Sequence, residues 1–125
     1  MKYFDIVNEQ DQVIGKKTAK ECHSDPNLIH RVVHFTLQDP QTNKILISQR
    51  SFDVAFDSGK WCFMGEHVLS GETYEDAVRK GVKDELGILA DNFSEAAHHL
   101  FSYATQTEFV RFFVVEWNGE ELQPS

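Results

Sequence analysis

Short apolar runs separated by polar turns fill most of the chain, and this pattern predicts strands. Residues 3–7 and 13–16 flank a polar turn and predict a short hairpin. Residues 29–37 are rich in β-branched and aromatic side chains, which are typical of a well-buried strand. Residues 45–50 follow a second polar turn and are expected to return as its partner.

The second half of the chain predicts a loop, one helix and two more strands. Residues 53–64 read as a loop held in place by large apolar plugs at Phe56, Trp61 and Phe63. Residues 101–105 and 109–117 predict the last two strands. The predicted order is therefore several strands, one helix and two more strands. This order suggests a mixed α/β or α+β arrangement in a single domain spanning residues 1–125.

The helix is defined at both ends by capping residues. Thr73 with Asp76 fits a Ser/Thr-x-x-acid capping box, and Gly87 stands where a helix commonly ends. Apolar residues recur between them at helical spacing, at Ala77, Val78, Val82 and Leu86.

Composition limits the classes of partner. The formal net charge is −8, and no dense run of Lys and Arg provides a basic face for a nucleic acid polymer. A small phosphorylated substrate is still compatible with this charge if a divalent cation lies between the like charges. The two cysteines, Cys22 and Cys62, do not form a metal-binding or disulfide pattern. Because no signal core or membrane-spanning run is present, a cytoplasmic protein is expected.

Carboxylates gather near the C-terminal end of the predicted helix. Positions 81, 84 and 85 share a helix face, and Glu72 at the preceding loop could fold back towards it. Oxygen ligands on a rigid helix suit Mg²⁺ or Mn²⁺. A solvated acidic helix face is the alternative interpretation of Asp84 and Glu85.

The same segment resembles the Nudix box, in which Gly and Glu of a loop precede Arg-Glu-apolar-any-Glu-Glu-any-Gly-apolar of a helix. Matches at the required spacing are Glu72, Val82, Glu85, Gly87 and Ile88. Departures are Glu66 for the first Gly, Lys80 for Arg, Gly81 for Glu and Asp84 for Glu. Close packing of the helix on the sheet is one explanation of Gly81; loss of a functional carboxylate is the other.

Upstream segments resemble the Nudix branch related to isopentenyl-diphosphate isomerase. They are residues 3–7, 21–23, 28–31, 46–51 and 59–61. The resemblance implies an α+β Nudix fold, with a mixed β-sheet and the box helix packed on it. Relatives continue into a C-terminal helix that this chain apparently lacks. We therefore expect either compensation elsewhere in the fold or a partner subunit, as in a homodimer, over the open face.

The resemblance also implies site residues. Glu72, Asp84 and Glu85 are the candidate metal ligands, and Glu72 would order the box. Glu85 and Glu108 are the candidate catalytic residues, with Glu108 a substitute ligand or general base. Arg50, at the end of a strand, is the candidate phosphate contact, since a guanidinium matches phosphate oxygens.

Three histidines resemble the metal ligands of the isomerase. They are His23, His30 and His67, and Glu108 lies near one of that enzyme's acidic ligands. Isolated structural histidines are the alternative. Isomerase chemistry is disfavoured, because that enzyme needs a cysteine just before its Gly-His step and the nearest thiol here is Cys62.

Two functions follow from these features. The first is a Nudix-type hydrolase that uses Mg²⁺ or Mn²⁺ to cleave a diphosphate linkage in a nucleoside diphosphate derivative or similar small molecule. The second is a catalytically impaired Nudix-fold binding or regulatory module, which the loss of a carboxylate at Gly81 would favour.

Overall fold

A seven-stranded mixed sheet organises the computed structural model, which describes residues 1–50, 52–53 and 59–124. In chain order the elements are β1 (Tyr3–Val7), β2 (Val13–Thr18), α1 (Ala19–Cys22), β3 (Ile29–Gln38), β4 (Ile45–Leu46), β5 (Ser48–Gln49), β6 (Trp61–Cys62), β7 (Met64–His67), α2 (Tyr74–Leu86), β8 (Phe93–Ser102) and β9 (Thr107–Glu116). β5 and β6 form a separate two-stranded hairpin.

β3 is the centre of the large sheet, whose main order is β2-β1-β3-β9-β8. β3 and β9 run parallel and pair along their whole length, whereas the other pairings are antiparallel. β7 and β4 also pair with β3, so this strand has neighbours along both of its edges.

The main hydrophobic core lies between the sheet and α2. Alternate residues of β3, namely Val33, Phe35 and Leu37, point to this side, which we call the helix face. They pack against the apolar stripe of α2, formed by Ala77, Val78, Val82 and Leu86. The intervening residues of β3, His30, Val32, His34 and Thr36, point to the opposite side, which we call the histidine face.

The capping residues fix the length of α2, as the sequence predicts. The Thr73 side chain accepts from the Asp76 N–H, and the Asp76 side chain accepts from the Thr73 N–H. At the other end Gly87 has a φ of 72° and donates to the Lys83 carbonyl. An L-residue with a side chain would be strained there, so glycine is the residue that permits this stop.

The predicted loop over 53–64 is wrong in its last part. Trp61–Cys62 is a strand, Met64 begins another, and Trp61 is 63% exposed and Phe63 39% exposed, so neither is a buried plug. Phe56 lies outside the described residues. Large aromatic residues alone did not indicate burial here because they line an exposed hairpin rather than the core.

The predicted strand over 101–105 is also wrong in its bounds. The strand runs over Phe93–Ser102, and the chain then turns, with the Tyr103 N–H donating to the Gln106 carbonyl. Residues 94–99 are exposed on both sides of this sheet edge. They therefore carry no apolar alternation from which a strand could be predicted.

The segment after β9 lies against the end of α2. Residues 117–124 contain no helix. Leu122 packs on the helix-face core, and the Gln123 N–H donates to the Leu86 carbonyl. This segment thus covers the helix-face end of the domain, and a partner over the remaining sheet surface stays a prediction.

Candidate functional site

Glu72 and Lys80 join the loop before α2 to the middle of the helix. Glu72 Oε1 accepts from the Leu69 N–H at 2.8 Å and from Lys80 Nζ at 3.0 Å. Both side chains are partly buried, which strengthens their attraction relative to a surface pair. Glu72 thus orders the box loop, and Lys80 supplies the positive charge in place of the Arg of the family pattern.

Asp84 and Glu85 lie on the solvent-exposed side of α2, whereas Gly81 is buried. A Cβ on Gly81 would lie 2.7 Å from Phe35 Cε1 and 3.1 Å from Glu66 Cβ. These distances confirm close packing of the helix on the sheet as an explanation of Gly81. They also place Glu66 of β7 beside the box helix, although Glu66 was not among the candidate site residues.

Glu66 is partly buried beside charged groups of α2. Burial raises the pKa of its carboxyl group and the charge of Asp84 adds to this, while Lys80 and the backbone N–H of His67 oppose it. From the sequence, Glu66 was noted only as the residue that replaces the first Gly of the Nudix box. Its proximity to Gly81 depends on the pairing of β7 with β3 and could not be read from spacing in the box.

His23, His30 and His67 form the densest group of potential metal ligands among the described residues. One ring nitrogen from each lies within 4.8 Å of the others. His23 and His67 approach most closely, with their Nε2 atoms 3.3 Å apart. They come from three elements: His23 caps the C-terminal end of α1, His30 lies on β3 and His67 ends β7.

Phe4 orders the three imidazole rings. Its ring stacks on those of His30 and His67, with centroids 5.2 and 5.0 Å away, and His23 meets it edge-on at 5.6 Å. His30 is fully buried, and neither of its ring nitrogens has a hydrogen-bond partner. A buried imidazole that makes no hydrogen bond is costly, and the nearest charged group to its Nε2 is the carboxylate of Glu108 at 3.6 Å.

The protonation of His67 suits metal binding at neutral pH. Burial, with added repulsion from His30 and His23, lowers its pKa to about 4. Burial also lowers the pKa of His23. Neutral imidazole is the form that coordinates a metal ion.

Glu108 lies with the histidines. It pairs with His30 across β3 and β9, and its Oε2 is 3.6 Å from His30 Nε2. Burial acts to raise the pKa of Glu108, but the adjoining histidines, His30 foremost, outweigh it and lower the pKa. The structure thus brings Glu108 to the histidine face, away from the side on which α2 packs, and does not place it with Asp84 and Glu85.

The two sets of side chains differ in how well they fit a divalent ion. Two nitrogens on one tetrahedral zinc ion lie roughly 3.4 Å apart, because each Zn–N bond is about 2.0–2.1 Å. The separation of His23 and His67 matches this value, and an imidazole-carboxylate set suits Zn²⁺ or Mn²⁺. Among the described residues, Glu72, Asp84 and Glu85 are not gathered this closely.

Arg50 lies at the end of the β5–β6 hairpin. Its N–H donates to the Lys60 carbonyl, and its carbonyl accepts from the Gly59 N–H. The side chain is exposed, as a contact to a phosphate in solution requires. A cleft of about 330 Å³ next to this hairpin is lined by His34, Ile47, Trp61, Cys62 and Phe63.

The fold is similar to those of solved structures, which include MutT proteins. One from Methanosarcina mazei matches with a TM-score of 0.69 at 20% identity, over 81% of this chain and 71% of that one. The crystal structure of a Deinococcus radiodurans protein matches with a TM-score of 0.75 at 25% identity, over 98% of this chain and 76% of that one.

The sequence comparisons agree with the fold. Residues 28–125 match the family model of the NUDIX domain. A Nudix hydrolase from Nostoc sp. is 37% identical over 93 residues, which are 70% of this chain and 52% of that protein. The chain therefore belongs to the Nudix family, and the α+β Nudix fold expected from the sequence is confirmed.

Two further facts concern the length of the relatives and the possibility of a membrane-spanning helix. The chain spans about half the length of the curated relatives it matches. Within the described residues, no helix has both the length and the apolar character needed to cross a bilayer.

Proposed function

We propose that this protein is a Nudix hydrolase that cleaves a diphosphate linkage in a small organic molecule with the help of a divalent metal ion. Membership in the family supports hydrolysis of such linkages, and members generally use divalent ions. The observation that carries the proposal to this chain is the ordered helix and loop of the box, which persist despite its four departures. Its helix is capped, its loop is held by Glu72 and Lys80, and Asp84 and Glu85 face solvent.

Each box residue has a defined part in this proposal. Asp84 and Glu85 would hold Mg²⁺ or Mn²⁺, which when bound neutralises diphosphate oxygens that the acidic protein would otherwise repel. Glu72 would keep the loop in place. Water adds to one phosphorus, the bridging P–O bond breaks, and Glu85 would accept the proton that the water loses. Arg50, which lies on the neighbouring β5–β6 hairpin, would contact a phosphate group of the substrate.

The histidine face supports a second divalent site in the same protein. His23, His30 and His67 supply three nitrogens and Glu108 adds a carboxylate, so the set would hold Zn²⁺ or Mn²⁺. The observation that favours a ligand there is the buried ring of His30, whose nitrogens make no hydrogen bond and whose Nε2 faces Glu108 at 3.6 Å. Glu108 would act at this site and not as a base beside Glu85.

The test is hydrolysis by the purified chain and a matched pair of variants. Nucleoside diphosphate derivatives, dinucleoside polyphosphates and prenyl diphosphates would be supplied with Mg²⁺ or Mn²⁺, and phosphate release would be measured. We expect Glu85→Gln to lower the turnover number by about 100-fold or more. Glu75→Gln, in the exposed first turn of the same helix, is expected to leave it unchanged.

The alternatives predict other results. Turnover that survives Glu85→Gln and disappears in His67→Ala would move the reaction to the histidine face. Metal-dependent binding of a diphosphate without turnover in the unaltered protein would contradict hydrolysis and favour the binding or regulatory module.

A further inference from the structure

Positions 66 and 81 face each other across the contact between β7 and α2. The Cβ of Glu66 lies 3.1 Å from the place that a Cβ on Gly81 would occupy. Phe35 Cε1 is closer still, at 2.7 Å from that place. Interiors are packed too closely to accept such contacts without movement. A side chain at position 81 would therefore meet two obstacles, the ring of Phe35 and the side chain of Glu66, and glycine at position 66 would remove one of them.

The Nudix box has glycine at the strand position and glutamate at the helix position, and this chain has the reverse. Glu66 stands where the pattern has its first Gly, and Gly81 stands where it has a Glu. Two departures that look independent in the sequence are thus a contacting pair in the fold. In either arrangement the pair carries one carboxylate and one position without a Cβ.

The backbone directs Glu66 towards the box. Glu66 pairs with Val33, whose side chain lies in the helix-face core, so Glu66 points to the side on which α2 packs. Asp84 and Lys80 are the α2 residues whose charges act on the Glu66 carboxyl group. Lys80 is also the residue that holds Glu72.

We propose that Glu66 replaces the carboxylate that α2 lacks at position 81, so that the third acidic group of the box is supplied by strand β7 and not by the helix. This inference rests on the proposed hydrolase function. The box then still has three acidic groups, because the carboxylate absent at position 81 is present at the contacting position 66.

The first experiment removes the charge of Glu66 and keeps its shape. Mn²⁺ binding would be measured by calorimetry in a His23→Ala background, which takes away one ligand of the histidine site, and turnover would be measured alongside. We expect Glu66→Gln to weaken Mn²⁺ binding about tenfold or more and to lower turnover about 100-fold. Glu75→Gln is the control in the same background and should change neither.

The second experiment restores the family arrangement. Glu66→Gly alone should lose turnover, and Gly81→Glu alone should lose it through the steric conflict with Glu66 and Phe35. The double variant Glu66→Gly/Gly81→Glu removes the contact with Glu66 but keeps that with Phe35, so it should recover part of the lost turnover and Mn²⁺ affinity relative to either single variant. Thermal melting of all variants identifies any single variant that fails to fold, and Glu66→Gln then decides the matter because it is isosteric.

The outcomes separate this inference from the proposed function. Unchanged Mn²⁺ affinity and turnover in Glu66→Gln, with both lost in Glu85→Gln, would overturn the exchange and leave the hydrolase standing. Absence of Mn²⁺ binding and of turnover in the unaltered protein would overturn both. A double variant no better than its two parents would show that positions 66 and 81 do not exchange roles.

Discussion

The two faces of the sheet present their candidate chemistry in opposite ways. On the helix face, the box motif is recognisable in the sequence, but Asp84 and Glu85 are exposed and not gathered around a common point. On the histidine face, the residues are scattered through the sequence, yet His23, His30 and His67 meet within 4.8 Å. Both sets were candidates from the sequence, the first by its motif and the second by resemblance, and the structure brings only the histidines together closely enough to share one ion.

The faces also differ in what they contribute to stability. Phe35 is fully buried at the helix face, between the sheet and the apolar side of α2. Phe112 on the histidine face is partly buried and meets His34 and Phe63 edge-on. The helix face thus carries the larger core, and the histidine face has a smaller one, formed by Phe4, Ile6 and Cys22.

The largest expected effect is the loss of stability when the helix-face core is truncated. We expect Phe35→Ala to lower the free energy of unfolding by about 3–5 kcal/mol, since it leaves a cavity against α2. Phe112→Ala should cost about 1–2 kcal/mol, because less apolar surface leaves the protein interior. Urea denaturation of the two variants measures the difference. Equal losses would show that the histidine face carries as much of the core as the helix face.

A smaller effect is expected from the cap that positions the box helix. Thr73→Ala removes the acceptor for the Asp76 N–H and should lower the free energy of unfolding by about 1 kcal/mol. Thr73→Ser keeps the hydroxyl and serves as the matched control in the same denaturation measurement. A loss in Thr73→Ser as large as in Thr73→Ala would contradict the capping explanation.

The smallest effect concerns the two thiols and leaves stability untouched. Cys22 is fully buried next to Phe4 in the small core beneath the histidines, and burial raises its pKa to about 11. Because the thiolate is the reactive form, Cys22 should react slowly with Ellman's reagent at pH 8. Partly exposed Cys62 should react first. One fast thiol in the wild type that disappears in Cys62→Ser would agree; a fast thiol remaining in that variant would not.

The elements with strong local signals could be predicted from the sequence. The capping residues Thr73 and Gly87 defined the ends of α2, and runs rich in β-branched and aromatic residues identified β3 and most of β9. β8 was misplaced because an edge strand exposed on both sides has no hydrophobic face to mark it. β7 was not predicted as a strand, because its strand character comes from pairing with β3.

Candidate site residues could be found where a motif or a resemblance marked them, as for the box residues and for His23, His30 and His67. The Glu72–Lys80 pair lies within the box, and its ordering role was expected from the resemblance. The contact of Glu66 with Gly81, and that of Glu108 with His30, join separate elements and depend on strand register. Asp11 gives another example: it was assigned to a polar turn, yet its carboxylate accepts from Arg31, Arg111 and Tyr74.

The opposite orientation of two adjacent side chains in β7 limits which changes in chain length this protein can tolerate. Glu66 and His67 are consecutive residues that point to opposite faces, so each candidate site receives one of them. A one-residue insertion or deletion in the preceding hairpin that shifted the register of β7 would turn each side chain to the other face. Both sites would then lose a residue in a single mutational event. Length variation ahead of this strand should therefore be absorbed within the hairpin, or occur in steps of two residues.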